Sequence, residues 1–251
     1  MAGILRVDQI QSTGGANVID VSSGSFKIWD GNSYETFTVS GALLSINTYT
    51  SQNGTWNSKS TSGGSGVWSK PSGCNHVLVY VTGGGGGVRC NDNQYRGAGG
   101  GGGATAIRYI DVSNVSSVNY TYGGGGGYAR NGGRGGTGGT SSFGSYCTAT
   151  GGQGGQSDNP HQGGPGGNAS GGDINLPGGG GEMSHGTNRE GGGGGSFWHQ
   201  SGSSHHYYNN QEEITHGQWG SGGGYGYYSQ HSYAHNNGNG GAGCVIVFNY
   251  T

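Results

Sequence analysis

Apolar and polar residues alternate in only a few stretches of the chain, and nowhere do apolar positions recur at i, i+3, i+4 and i+7 without an intervening glycine. The first pattern predicts strands, and the absence of the second predicts little or no α-helix. His76-Val-Leu-Val-Tyr-Val81, Ala104 to Val112 with Val118 to Tyr122, and Cys244-Val-Ile-Val-Phe-Asn-Tyr250 are rich in β-branched and aromatic residues and are bounded by Gly, Ser and Asn clusters, as half-buried strands are. Shorter strand patterns occupy Ile4 to Ile10, Ala16 to Val21, Phe26 to Ile28 and Thr36 to Ile46. The chain reads as all-β.

Bringing the 76–81 and 244–250 patterns into one sheet closes a single β-sandwich-like domain over residues 47–251. Residues 1–46 then form a small β region of their own. So short a segment with little aliphatic mass hardly forms a core alone, so oligomerisation or docking onto a partner is expected to supply its missing burial.

Composition explains what fills the long interval between Tyr122 and Cys244. Glycine supplies 65 of the 251 residues, and its runs include Gly123 to Gly127, Gly132-Gly-Arg-Gly-Gly-Thr-Gly-Gly139, Gly151-Gly-Gln-Gly-Gly155, Gly163-Gly-Pro-Gly-Gly167, Gly178 to Gly181, Gly191 to Gly195 and Gly222 to Gly224. Several repeat with a period of three. A strict G-X-Y frame is missing and only 4 Pro occur, which excludes collagen. Period three fits a left-handed extended helix of the polyproline II kind, here polyglycine II, with three residues per turn and no internal hydrogen bonds. Such helices must bond to one another, because their backbone polar groups have no other partner. The alternative is a flexible Gly/Ser linker, which does not require GGX phasing between bulky residues.

Charge and cysteine content remove several classes. Ten Lys and Arg against 12 Asp and Glu give a formal net charge of −2, with no basic patch to displace counterions from phosphates. No nucleic-acid partner is expected. No apolar window is long enough for a membrane helix, so no membrane insertion is expected, and the N-terminus lacks a secretory pattern. Cys74, Cys90, Cys147 and Cys244 match no Cys-x-x-Cys metal or redox spacing. Cys74 and Cys244 read as reduced thiols at strand edges.

The candidate chemistry is thin. Val81-Thr-Gly-Gly-Gly-Gly-Gly87 follows a strand, but a phosphate loop needs a helix N-terminus behind it. Six histidines, including His205, His206 and His231, fall between His199 and His235, yet without helical spacing or neighbouring Cys they make no metal set. Asp and Glu are too sparse for a carboxylate dyad. No cofactor and no enzymatic activity are expected.

The informative segment is 197–239. Phe197, Trp198, Tyr207, Tyr208, Trp219, Tyr225, Tyr227, Tyr228 and Tyr233 stand there among Ser, Gly, Asn, Gln and His, with only Glu212 and Glu213 charged. Antibody paratopes have this composition, because Tyr and Trp give rigid amphipathic contact area while Ser, Gly and Asn give adaptable hydrogen bonds. These rings, with His205, His206 and His231, are the candidate receptor-contacting set. Individual rings have the alternative of packing between glycine helices as a substitute core.

Tyr49-Thr-Ser-Gln-Asn-Gly-Thr-Trp56, Trp68-Ser-Lys-Pro-Ser-Gly73, the 76–81 strand, the run Gly83 to Gly87 and the closing Gly240-Gly-Ala-Gly-Cys-Val-Ile-Val-Phe-Asn-Tyr250 resemble the glycine-rich domains of bacteriophage tail-fibre proteins. Leu5-Arg-Val-Asp-Gln-Ile-Gln-Ser-Thr-Gly-Gly15 is similar to the N-termini of tail-fibre proteins from marine and cyanobacterial phages. The resemblance implies a virion adhesin assembled in the host cytoplasm. It implies a homotrimer joined to other tail proteins through residues 1–24, with loops in 197–239 touching a host polysaccharide or outer-membrane protein. A structural tail or decoration protein without receptor affinity shares the same scaffold. Some antifreeze proteins also resemble the chain in their GGX repeats, but the Tyr, His and Trp loops do not suit a flat ice-binding face.

Overall fold

A computed structural model describes residues 9–11, 17–20, 27–29, 34–36, 41–52, 61–91, 96–130, 133–156, 162–183, 191–200, 217–224 and 238–251. The chain divides into two compact units, residues 1–42 with Thr251, and Leu43 to Tyr250. In the first, β1 (Gln9–Gln11), β2 (Asn17–Asp20), β3 (Lys27–Trp29) and β4 (Tyr34–Thr36) pair in sequence order as an antiparallel sheet. Among the described residues no α-helix occurs.

The second unit begins at β5 (Leu43–Tyr49) and contains β6 (Gly64–Ser69), β7 (His76–Thr82), β8 (Arg89–Asn91), β9 (Arg96–Ala98), β10 (Thr105–Asp111), β11 (Ser117–Tyr122), β12 (Ser141–Phe143), β13 (Cys147–Ala149), β14 (Ala169–Ser170), β15 (Ile174–Leu176) and β16 (Cys244–Tyr250). Two five-stranded antiparallel sheets, ordered β15-β10-β7-β16-β5 and β14-β13-β12-β11-β6, form the sandwich. The alternation of Val77, Val79 and Val81, matched across the register by Val245 and Val247, turns these side chains inward. There they meet Trp68, Val118, Phe143, Cys147 and Ala149 of the second sheet.

A side-chain hydrogen bond crosses this core. Trp68 Nε1 donates to Asn249 Oδ1 at 3.1 Å, and Asn249 Nδ2 donates to Ser45 and to Asn47 Oδ1. A buried indole N–H needs such a partner, and here its partner fixes one sheet over the other. The four cysteines are buried thiols.

Most of the strands continue directly into glycine runs. The bonding of residues 83–88 reveals their geometry. The N–H groups of Gly83 and Gly86 donate to Ala104 and Gly101, those of Gly84 and Gly87 to Gly139 and Gly136, and those of Gly85 and Val88 to Gly241 and Gly238. Each neighbour recurs every third residue, which is the repeat of a three-residue turn. Carbonyls of the same run accept from Gly152 and Gly155, from Gly126 and Ala129, and from Gly223. Residues 83–88 thus bond to six surrounding runs.

Residues 99–104 are surrounded in the same way, by 83–88, 150–156, 162–168, 177–183, 191–196 and 220–224. Around this central pair the runs 123–128, 133–140, 150–156, 162–168, 177–183, 191–196, 220–224 and 238–243 close a ring, each bonded to the next at 2.7–3.1 Å. The polyglycine II expectation describes this bundle well.

Position in the lattice accounts for the sequence of several runs. The central runs Gly83 to Gly87 and Gly99 to Gly103 are unbroken glycine, since every face meets a neighbouring backbone. A Cβ on Gly84 would collide with the Gly124 carbonyl oxygen, and one on Gly101 with that of Pro165. Ring runs keep one outward face, and there Arg134, Thr137 and Thr140, or Thr150, Gln153 and Gln156, appear at every third place.

Gly84→Ala and Gly101→Ala are each expected to cost more than about 4 kcal/mol, since neither side of the clash can yield. Gly127→Ala, whose added Cβ meets no heavy atom within 4 Å, is expected to leave the melting temperature close to wild type. Thermal melts of the three variants check this.

Candidate binding site

Two places in the second unit gather the side chains that could recognise a ligand, and the bundle separates them. The first lies where β7 becomes the 83–88 run. The strand register turns Tyr80 and Thr82 to the outer face of the first sheet, beside Ile246 and Cys244. Over them folds the segment that follows the 191–196 run.

Phe197 and Trp198 meet edge to face at 4.9 Å, and both lean on Tyr80, at 5.9 and 5.3 Å. Phe248 completes the cluster at 5.7 Å from Tyr80. Trp198 Nε1 donates to Thr82 Oγ1 at 2.9 Å, and that hydroxyl shares a hydrogen bond with Thr105 Oγ1 at 2.8 Å. Phe197 remains 49% exposed. Beneath them, burial pushes the Cys244 thiol up to about 12, against the opposing hydrogen bonds of Thr82 and Trp198.

Trp219 joins this end through the turn Gln218–Ser221, closed by the Ser221 N–H on the Gln218 carbonyl at 2.9 Å. Its φ is +46° and that of Gly220 is +83°, the mirror-image turn that Asn-Gly normally supplies. A bulky residue in this left-handed region costs roughly 1–2 kcal/mol. Ser196 Oγ donates to the Trp219 carbonyl at 2.6 Å and holds the turn against the 191–196 run.

His199 stands beside Ser221, with Nδ1 to Oγ at 3.5 Å, but the same Nδ1 lies 2.6 Å from the Gln200 carbonyl. A carbonyl only accepts, so this nitrogen carries the proton and gives Ser221 no base.

The second place is the opposite end of the bundle. Val88 bonds to Gly238 there, and the β8–β9 hairpin joins the two central runs. Tyr128 is 42% exposed, its N–H donates to Asn239 Oδ1 at 3.0 Å, and the Arg130 guanidinium lies 5.6 Å from its ring centroid. A cation over a ring face is an attractive pair. Residues 225–237 connect the run 220–224 to Gly238, so the chain leaves for them and returns from them at this far end.

Of the residues proposed from sequence, Phe197, Trp198 and Trp219 are brought together at the sheet end. His205, His206, Tyr207, Tyr208, Tyr225, Tyr227, Tyr228, His231 and Tyr233 lie outside the described residues. Sequence reasoning missed Tyr80, Thr82 and Phe248, although strand alternation puts all three on the face opposite the valines. It also missed Tyr128 and Arg130, which the preceding glycine run delivers to the far end.

A family model for a glycine-rich domain matches residues 57–249. The chain belongs to this glycine-rich domain family. The match takes in the second sheet, four of the five strands of the first sheet and the whole bundle, and with them both candidate places, whereas residues 1–56, β5 among them, lie outside it. None of the curated proteins compared with the chain matches it.

If Trp198 seals Cys244, Trp198→Ala is expected to open that thiol and lower its pKa toward the ordinary value of 9.0. The wild-type protein should then consume no thiol reagent at pH 8 until unfolded, while the variant consumes one equivalent under native conditions; titration with a chromogenic disulfide checks both.

Proposed function

We propose that the protein is a non-catalytic adhesin of a bacteriophage tail fibre or tail tip, which grips a host cell surface through loops carried at the far end of the glycine bundle. The observation that supports this reading is polarity along one axis. Leu43, Tyr250 and His76 lie together at one end of the first sheet. The β7 strand runs from there to Thr82, and the bundle extends the same path to Val88, Gly238 and Tyr128. The chain enters the domain at one pole, and its aromatic-rich segment 225–237 is reached only from the other.

Loops on rigid supports are where binding residues concentrate. The bundle is such a support, because its backbone is bonded on all sides. Recognition would use Tyr225, Tyr227, Tyr228, His231 and Tyr233 with Tyr128 and Arg130, rings stacking on sugars or receptor side chains and His and Asn supplying hydrogen bonds. Each contact is weak. Display as a homotrimer, joined to other tail proteins through residues 1–24, raises avidity by tethering the later binding events.

Phe197, Trp198 and Trp219 have a different place in this reading. Their packing on Tyr80 and the strained turn make them a cap on the sheet end, distinct from the receptor surface.

Labelled full-length protein is expected to stain selected bacterial or cyanobacterial strains. A version with residues 225–237 replaced by a Gly/Ser loop of equal length is expected to lose that staining while keeping its melting temperature. Staining retained by the loop variant would sink the far-end assignment, and no staining of any strain by folded wild type would favour a structural tail protein.

A further inference from the structure

Tyr49 and Tyr120 meet across the sandwich. Tyr49 ends β5 in the first sheet, where it pairs with Val245, and Tyr120 lies on β11 in the second. Both side chains pack, partly buried, against the hydrophobic core. Their rings stack with centroids 3.8 Å apart and planes 19° from parallel. Most aromatic pairs are offset or edge to face with centroids about 4.5–7 Å apart, so these two rings overlap face to face.

The fold holds both rings in place. Register sets Tyr120 opposite Gly66, and a Cβ on Gly66 would collide with the Tyr120 hydroxyl, so the phenol rests on the bare backbone of β6. Tyr122 and Gly64 repeat the arrangement at the next inward-facing pair. The other tyrosines with ring contacts among the described residues meet unlike rings: Tyr109 stacks on His76, Tyr146 lies near Phe143, and Tyr80 touches Phe197, Trp198 and Phe248.

Two phenols in ring contact are the reactants of a particular oxidation. A one-electron oxidant takes an electron from each, and each phenol releases its proton to water, leaving two phenoxyl radicals. The unpaired electrons spread onto the ring carbons beside the hydroxyls. A bond forms between one such carbon on each ring, and the hydrogens on those carbons move to the oxygens as the rings regain aromaticity. The net change is two electrons to the oxidant, two protons to solvent and one new carbon–carbon bond. Stacking supplies the proximity that this coupling needs.

We propose that Tyr49 and Tyr120 form an oxidative cross-linking site, joined into dityrosine by one-electron oxidants, which ties the edge strand β5 covalently to the second sheet. Burial, with the Tyr120 phenol beside it, holds the Tyr49 hydroxyl above its ordinary 10.0, so it stays protonated at neutral pH and gives up its proton only with the electron. Thiols of the same core compete poorly. Burial pushes Cys147 up to about 11, and thiol oxidation follows thiolate character and exposure. The bond has a mechanical consequence, because the chain passes from residues 1–42 into the sandwich at β5, whose ladder among the described strands is with β16. Linking Tyr49 to β11 closes a loop of about 70 residues, which constrains the unfolded chain as a disulfide does, and keeps β5 from being peeled off that ladder.

The test is oxidation of the dilute full-length protein by a photoexcited ruthenium tris-bipyridyl complex, with persulfate as terminal electron acceptor. Wild type is expected to give a fluorescent product at the mass of one chain less two hydrogens, whose digest contains the Tyr49 and Tyr120 peptides joined. Tyr49→Phe and Tyr120→Phe keep a ring at each position but lack one phenol. Each is expected to lose this product with an unchanged far-UV spectrum, whereas Tyr109→Phe, at an exposed tyrosine of β10, is expected to keep it. Cross-linked wild type is expected to melt at a higher temperature than Tyr49→Phe carried through the same treatment. Oxidised wild type without the joined peptides, or single-chain dityrosine undiminished in both core variants, overturns the site. A joined product that melts no higher overturns its action as a staple. Neither phenol belongs to the candidate receptor-contacting set, so cell staining by untreated protein reads the adhesin proposal separately.

Discussion

Every glycine run in this protein faces one demand: its backbone N–H and C=O groups must be paired away from water without the help of side chains. An extended three-residue turn cannot pair them internally, and leaving them buried and unpaired costs about 1–3 kcal/mol each. The solution is lateral. Gly86 donates to Gly101 and accepts from Gly223, and its neighbours along the run bond in other directions. Such bonds form only where the backbones approach without Cβ atoms between them, so glycine is required by the hydrogen bonding, and the hydrogen bonding in turn organises the glycine.

The bundle is nevertheless not self-sufficient. Fixing a residue's backbone costs about 1–2 kcal/mol, and glycine loses the most freedom, whereas a hydrogen bond returns only about 1 kcal/mol net. The sandwich supplies what is missing. Strands such as β7, β10, β11 and β16 run without a break into glycine runs, so the sheet fixes the spacing, direction and phase of each run before the lattice forms. Ser141 sits at this seam, its Oγ donating to the Thr82 carbonyl and accepting from the Gly123 N–H, so the change from ladder to lattice leaves these buried groups paired.

This division of labour accounts for what the sequence discloses. The alternation in 76–82 and 244–250 marks strands because these positions have a valine side and an outer side, and the structure extends them as expected. β12 to β15 escape notice because segments of two or three residues, such as Ala169–Ser170, are held by their neighbours and carry no period of their own. GGX phasing reveals the glycine helices, but it does not separate the central pair from the ring, where Gly123 to Gly127 and Gly191 to Gly195 are equally unbroken. The site is less legible. Residues 197–239 look like one continuous aromatic segment, yet the run 220–224 passes through it and carries the chain from the sheet end to the far end. Gly222 to Gly224 stands among the glycine runs of the sequence, and the bonding of Gly223 to Gly86 and of Gly100 to Gly223 makes it part of the lattice, which divides the aromatic segment in two. Trp219 is likewise hidden, because a tryptophan in a turn that Asn or Gly would suit has no sequence signature.

Separating the two ends has a consequence for how such a scaffold diversifies. At the far end, Val88, Gly238 and Asn239 are anchored by bonds that do not involve the residues beyond them. The ends of each far loop are therefore fixed, and lengthening a loop adds only about 0.6 kcal/mol of closure cost per doubling. Changes there leave the lattice untouched. At the sheet end the opposite holds, since Phe197, Trp198 and Trp219 lock against Tyr80, Thr82 and Ser196, and a substitution is felt by the strands themselves. A protein built this way can vary its far loops while its sheet end remains constrained.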